Sequence, residues 1–219
     1  MPVAVKICCI ASVEEARTAV AHGAAVLGLV SAMPSGPGVI DDATVAAVAA
    51  ATAAPTETFL LTARTDADAI AAQHAFTRTT ALQLVDHVPH DHLRRLRTLC
   101  PGTKLVQVIH VTGEASVAEA VAVAPLVDAI LLDSGNPNLA VKELGGTGRV
   151  HDWMLSRRIR DAVFPLPLFL AGGLRADNVG DAIRAVQPFG LDLCSSVRSD
   201  GRLDAGRLQA FMAAVQAAA

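Results

Sequence analysis

The sequence has no tyrosine, one tryptophan and six phenylalanines in 219 residues. Its core must therefore be built from Ala, Val, Leu and Ile, through many small helix-to-sheet contacts rather than a few large rings. Lysine and arginine nowhere form a run, and the formal net charge is -3. A chain so balanced lacks the positive footprint that nucleic acid or an anionic membrane surface would require, so neither is expected as a partner. Apolar stretches fall short of the roughly 20 residues of a membrane span. Even Ala43–Ala54 is interrupted by threonine, and no basic-then-apolar leader pattern opens the chain. A cytoplasmic location is the expectation.

The four cysteines, Cys8, Cys9, Cys100 and Cys194, match neither a CxxC metal site nor a disulfide framework. Reduced thiols are expected, and Cys8 and Cys9 should point to opposite sides of a strand, which would strain a bond between them. His87, His90 and His92 crowd one loop and helix start among polar neighbours, with no companion at a second site. They do not form a convincing metal set.

What the chain has is 52% hydrophobic residues, 18% charged, and apolar runs alternating with Ala-rich stretches throughout. That alternation is the mark of βα units around a parallel sheet. Strands are predicted near Val3–Ile7, Ala25–Val30, Thr58–Leu61, Ala81–Leu84, Lys104–Ile109, Ala129–Leu132, Leu166–Leu170 and Leu191–Leu193. Helices are predicted over Val13–His22, Asp41–Ala51, Asp66–Ala75, His90–Leu99, Ser116–Ala124, Asp152–Ala162, Asn178–Ala185 and Ala205–Gln216. Ser12 with Glu15 reads as a capping box, and Asp66, Ser116 and Asp177 read as helix starts. The α/β class follows: a single (β/α)8 TIM barrel, residues 1–219, slightly short against a typical barrel of about 250 residues.

In such a barrel the catalytic groups come from the C-terminal strand ends and the loops beyond them. Alternation along the first strand puts Cys8 on the inner face with Lys6 and Ala4, and Cys9 with Ile7, Val5 and Val3 on the helix side. An inert buried cysteine is the plainer reading of Cys8, but an ammonium two residues away favours its thiolate. Lys6 needs a partner if buried, and Asp192, on the strand that closes against the first, is the candidate. Asp133 ends an apolar run, where burial would keep its carboxyl protonated, although a solvated turn aspartate is equally compatible with its position. The longest βα segments, Ser31–Ile40 and Ser134–His151, are rich in Gly and Pro and are candidates for binding loops.

Glycines cluster at Gly145-Gly146-Thr147-Gly148 and at Gly172-Gly173, and Ser195-Ser196 follow the eighth strand. Backbone amides after strands seven and eight commonly hold phosphate in barrels, so Gly172, Gly173, Ser195 and Ser196 are candidate phosphate contacts, and Gly146, in the cluster before the sixth helix, is a further candidate substrate or phosphate contact. His110, ending the fifth strand, is a candidate for the pocket lining.

The same residues carry a resemblance over nearly the whole chain. Val5-Lys-Ile-Cys8, Leu27-Gly-Leu-Val30, Leu131-Leu-Asp133, Gly145-Gly-Thr-Gly148 with Asp152-Trp153, Ala171-Gly-Gly-Leu174 with Asn178-Val179, and Pro188-Phe-Gly-Leu-Asp192 occur in the order seen in the phosphoribosylanthranilate isomerase family. The resemblance implies a cofactor-free aldose-to-ketose isomerisation of a phosphorylated aminosugar in tryptophan biosynthesis. In it Asp133 protonates the ribose ring oxygen and Cys8 removes the C2′ proton, with Gln83 among the substrate contacts. A small phosphorylated sugar is the implied ligand, and the chain a monomer or homodimer.

Several residues depart from the family pattern. Cys9 stands where glycine is usual, Val85 replaces a histidine, Ser196 a glycine, and Arg198 an acidic residue. The arginine expected after the second strand, near the anthranilate carboxylate, is absent from Met33-Pro-Ser-Gly-Pro-Gly-Val-Ile40. Arg64, past the third strand, is the candidate replacement. A related enzyme for another phosphorylated sugar derivative, or a phosphate-binding protein without turnover, remain as alternatives.

Overall fold

The computed structural model describes residues 3–136, 138–145 and 148–218. Eight parallel strands close into a barrel in chain order: β1 (Ala4–Ile7), β2 (Val26–Val30), β3 (Glu57–Thr62), β4 (Ala81–Leu84), β5 (Lys104–His110), β6 (Ala129–Asp133), β7 (Leu168–Leu170) and β8 (Gly190–Leu193). Helices α1 (Val13–Ala21), α2 (Asp42–Ala51), α3 (Ala67–Thr77), α4 (His90–Leu99), α5 (Ala115–Val123), α6 (Trp153–Val163), α7 (Val179–Val186) and α8 (Ala205–Ala218) follow the strands in turn. Most of the expected boundaries shift by one or two residues. β7 starts at Leu168 rather than Leu166 because Pro165 and Pro167 precede it and proline cannot donate to a ladder.

Local chemistry sets several helix starts. The Glu15 amide donates to Ser12 Oγ at 3.1 Å while Glu15 Oε2 accepts from the Ala11 amide at 3.0 Å, a reciprocal box. Asp41, Asp66 and Asp152 cap α2, α3 and α6, each cap contributing about 1 kcal/mol. The starts expected at Ser116 and Asp177 are corrected. Ser116 lies inside α5 and its hydroxyl instead donates to the His110 carbonyl, while α7 begins after Asn178 and Asp177 pairs with Arg175.

Strand alternation divides the core in two. Val26, Val30, Leu61, Val85, Val106, Val108, Leu131 and Ala171 fill the barrel interior, and Ile7, Leu27, Leu29, Leu60, Leu82, Leu132 and Leu170 meet the helices. Phe59, Phe169 and Phe189 stack edge to face, 5.9 and 5.5 Å between centroids, and close the end where the strands begin. Gly190 makes room for them, since a Cβ there would meet the Phe169 ring at 2.5 Å. The opposite end, where the strands finish, is open to polar groups. No helix among the described residues is long and apolar enough to cross a membrane.

Candidate active site

The closing seam of the barrel builds one wall. β1 and β8 pair in parallel with Lys6 opposite Asp192. Lys6 is fully buried, with Nζ 2.8 Å from Asp192 Oδ1. Burial works against the ammonium, but Asp192, and after it the sulfur of Cys8, raise its pKa above the usual lysine value, so it stays charged. Cys8 prolongs β1, its amide donating to the Leu193 carbonyl at 2.8 Å. Lys6 Nζ and Cys8 Sγ share the space beside Gly28, where a Cβ would stand 2.9 and 3.0 Å from them.

Cys9 departs from the expectation that it faces the helices. The strand ends at Ile7, and Cys9 has a φ of 62°, a left-handed conformation that breaks the alternation and turns its side chain into the cavity. Its Sγ lies 2.6 Å from Cys194 Sγ.

The opposing wall is the end of β6. Asp133 is buried, with Oδ1 accepting from the Ser134 amide at 2.7 Å. Burial raises its pKa and the Asp192 charge adds to this, while the Ser134 amide, His110 and Lys6 oppose. The net direction is upward. Gly145 packs against this carboxyl, since a Cβ there would come within 2.9 Å of Oδ2. His110, opposite Asp133 in the β5–β6 register, sets Nε2 3.0 Å from the Val85 carbonyl and lies behind the wall rather than on the cavity.

Cys8, Gln83, Asp133, Asp192, Gly172, Gly173, Ser195 and Ser196 line a single cavity at the strand ends. Val30, Met33, Leu61 and Leu144 supply its apolar surface, and Ser35, Gly36 and Pro37 reach it from the loop after β2. Gln83 Oε1 and Ser196 Oγ are buried without a hydrogen-bond partner among the described residues, so both have capacity to spare for a ligand. Gly172 and Gly173 hold φ of 86° and 62°, and a Cβ at Gly173 would meet the Gly148 carbonyl at 2.9 Å. Gly146 lies outside the described residues.

Arg64 is not brought to this cavity. Ala63 packs toward the interior, so the next residue faces away, and Arg64 lines a separate cleft with Asp41, Asp42 and Gln73. Among the described residues no group of three His, Cys, Asp or Glu is placed to hold a metal ion.

Residues 5–214 match the family model described as N-(5′-phosphoribosyl)anthranilate (PRA) isomerase. The chain belongs to that family. A PRA isomerase from Afipia carboxidovorans is 34% identical over 220 residues, covering 100% of this chain and 91% of that one. With the enzyme of that name from Methanocella arvoryzae the identity is 40% over 125 residues, 57% of this chain and 56% of the relative. The crystal structure of phosphoribosyl anthranilate isomerase from Thermotoga maritima superposes with a TM-score of 0.84 at 25% identity, over 98% of this chain and 99% of that one. PRA isomerases are isomerases of tryptophan biosynthesis, and this chain has their barrel.

Two site residues of this PRA isomerase family member were not legible as such. Arg198 is held by Glu15, with Nη1 and Nη2 each 3.1 Å from a carboxylate oxygen, and Nη2 donates to the carbonyls of Cys8 and Cys9. It anchors the turn that carries the inward thiol. Cys194 joins the cavity beside Cys9. The sequence signal was present for both, a charge where the family has the opposite sign and a cysteine next to the phosphate loop, but pairing across 183 and 185 positions requires the closed barrel.

Proposed function

We propose that this chain isomerises N-(5′-phosphoribosyl)anthranilate, with Asp133 as general acid and Cys8 as general base. The observation that carries the reading is that Cys8 and a buried Asp133 line one cavity whose rim includes the amide-rich turns after β7 and β8. Asp133, favoured in its protonated form, delivers a proton to the ribose ring oxygen as the C1′ to ring-oxygen bond breaks and the nitrogen lone pair forms the Schiff base. Cys8 as thiolate takes the C2′ proton, and the electron pair moves to give the enolamine, which tautomerises to the ketone. Lys6 beside Cys8 complements the negative sulfur. These steps are proton transfers, so no electron or group carrier is needed. Gly172, Gly173, Ser195 and Ser196 hold the phosphate, with the unpartnered Ser196 hydroxyl as an added donor.

A second reading concerns the other end of the substrate. Among the described residues no lysine or arginine lines the cavity, and Lys6, Arg198, Lys142 and Arg149 are engaged in ion pairs with Asp192, Glu15, Asp86 and Glu143. A carboxylate placed against Val30, Met33 and Leu61 would be desolvated without a counter-charge. This favours a phosphoribosylamine whose nitrogen substituent is uncharged. One experiment separates the readings: turnover of the anthranilate conjugate and of its carboxamide analogue by wild type, Cys8→Ala and Asp133→Asn. Preference for anthranilate supports the first, and at least tenfold preference for the carboxamide the second. Turnover that survives both substitutions refutes the acid-base assignment.

A further inference from the structure

Beside the proposed base lies a feature that the isomerisation does not use. Cys9 and Cys194 are both free thiols, sit at neighbouring ends of the β1–β8 seam, and line the cavity. Their sulfurs are 2.6 Å apart, against about 2.05 Å in a disulfide bond. Cys9 is turned toward its partner by its φ of 62°, and its Sγ also approaches the Pro37 carbonyl at 3.6 Å, so two elements hold it in place. Gly38 presses from the same side, where a Cβ would overlap the Cys9 Cβ at 2.4 Å.

We propose that Cys9 and Cys194 form a peroxide-reactive dithiol, in which Cys194 is the attacking sulfur and Cys9 the resolving one, and that this pair is oxidised before Cys8. The two sulfurs are unlike. The contact with Cys9 lowers the pKa of Cys194, burial opposes, and the Arg198 guanidinium assists, while the pKa of Cys9 is shifted upward by its contacts with Cys194 and Cys8 and by burial. A thiolate next to a fixed cation and an adjacent protonated thiol are the two parts that disulfide formation from peroxide needs.

In the first step the Cys194 thiolate attacks one oxygen of hydrogen peroxide. A sulfur-oxygen bond forms, the oxygen-oxygen bond breaks, and hydroxide leaves. In the second the Cys9 sulfur attacks the Cys194 sulfenic acid, a sulfur-sulfur bond forms, and water leaves with the Cys9 proton. The two thiols together lose two electrons, which the peroxide accepts. A dithiol reductant reverses the change.

The test is stoichiometric hydrogen peroxide added to the reduced full-length protein, followed by alkylation, proteolysis and mass spectrometry, with fragmentation to distinguish Cys8 from Cys9. The proposal requires a loss of two hydrogens, a Cys9–Cys194 link, alkylated Cys8 and Cys100, and full reversal by dithiothreitol. Cys194→Ser, checked for native circular dichroism, should slow oxidation of residue 9 at least tenfold, and Cys100→Ser should leave the link intact. A link involving Cys8, sulfinic acid on Cys8 with both other thiols still alkylated, or no reaction of the pair in wild type would overturn it. The wild-type map does not depend on any variant folding, and its outcome is independent of which sugar conjugate the enzyme accepts.

Discussion

Lys6 and Asp192 face each other across the closing seam, Nζ to Oδ1 at 2.8 Å, with the lysine wholly inside the barrel. A buried ion pair is costly to break from one side, because the surviving charge keeps its desolvation penalty. Lys6→Met should therefore lower stability by about 3–5 kcal/mol. The double variant Lys6→Met with Asp192→Leu should recover most of that loss. Turnover should stay low in both, since neither keeps a cation beside Cys8. Denaturant melts with kinetics at neutral pH check this, and a double variant with full activity would reduce the pair to a closure device.

Asp133→Asn should separate stability from function. Burial favours the protonated form of Asp133 in the native state. Between the unfolded and the raised native pKa the folded chain holds one more proton than the unfolded chain, so stability falls as pH rises through that window. Asparagine removes the ionisation, so the variant should be at least as stable as wild type at neutral pH while losing turnover by about 10²-fold or more. The alkaline limb of the wild-type kcat/KM profile should report loss of the Asp133 proton.

His151 provides a second pH dependence with the opposite sign. Burial holds its pKa down to about 4, with Asp152 resisting, and neither ring nitrogen has a hydrogen-bond partner among the described residues. The unfolded histidine binds its proton near pH 6.5, so the unfolded state gains protons first on acidification. Stability should fall as pH drops from about 6.5 to 4, by on the order of 3 kcal/mol from this group. Urea melts of His151→Gln across that range should show a flatter dependence, and an unchanged slope would disprove the assignment.

Gly28→Ala tests the crowding beside the proposed base. The added carbon would stand 2.9 Å from Lys6 Nζ, 3.0 Å from Cys8 Sγ and 3.1 Å from Cys8 Cα. The backbone of Cys8 cannot yield as a free chain end would, so overpacking should cost about 1–3 kcal/mol. A crystal structure of the variant should show the sulfur displaced, with kcat reduced more than KM is raised.

The parts of this architecture that were legible from the sequence share a local cause. Helix α4 lies at His90–Leu99 as its periodicity predicts, and α1 starts where Ser12 and Glu15 place it. The Lys6–Asp192 contact was also readable, because it needs only strand alternation and the adjacency of first and last strands in a closed barrel. Alternation failed where the strand stopped. Cys9 was assigned to the helix side by a period of two that its left-handed φ ends, and Arg64 sits past the last residue of β3, where the inward place is taken by Ala63. Ser116 was read as a cap because serine favours helix starts, but the carbonyl of His110 competes for its hydroxyl.

The seam between β1 and β8 has a consequence for biosynthesis. Of the eight barrel strands, the one that leads to Cys8 is the first to be made and the one that carries Asp192 and leads to Ser195 is the last, yet they are hydrogen-bonded neighbours. A nascent chain lacking its final segment leaves Lys6 without a counter-ion and the cavity without a wall. During synthesis, closure of the ring and completion of the cavity would thus arrive together, because Lys6 is enclosed with its counter-ion only once β8 has joined β1.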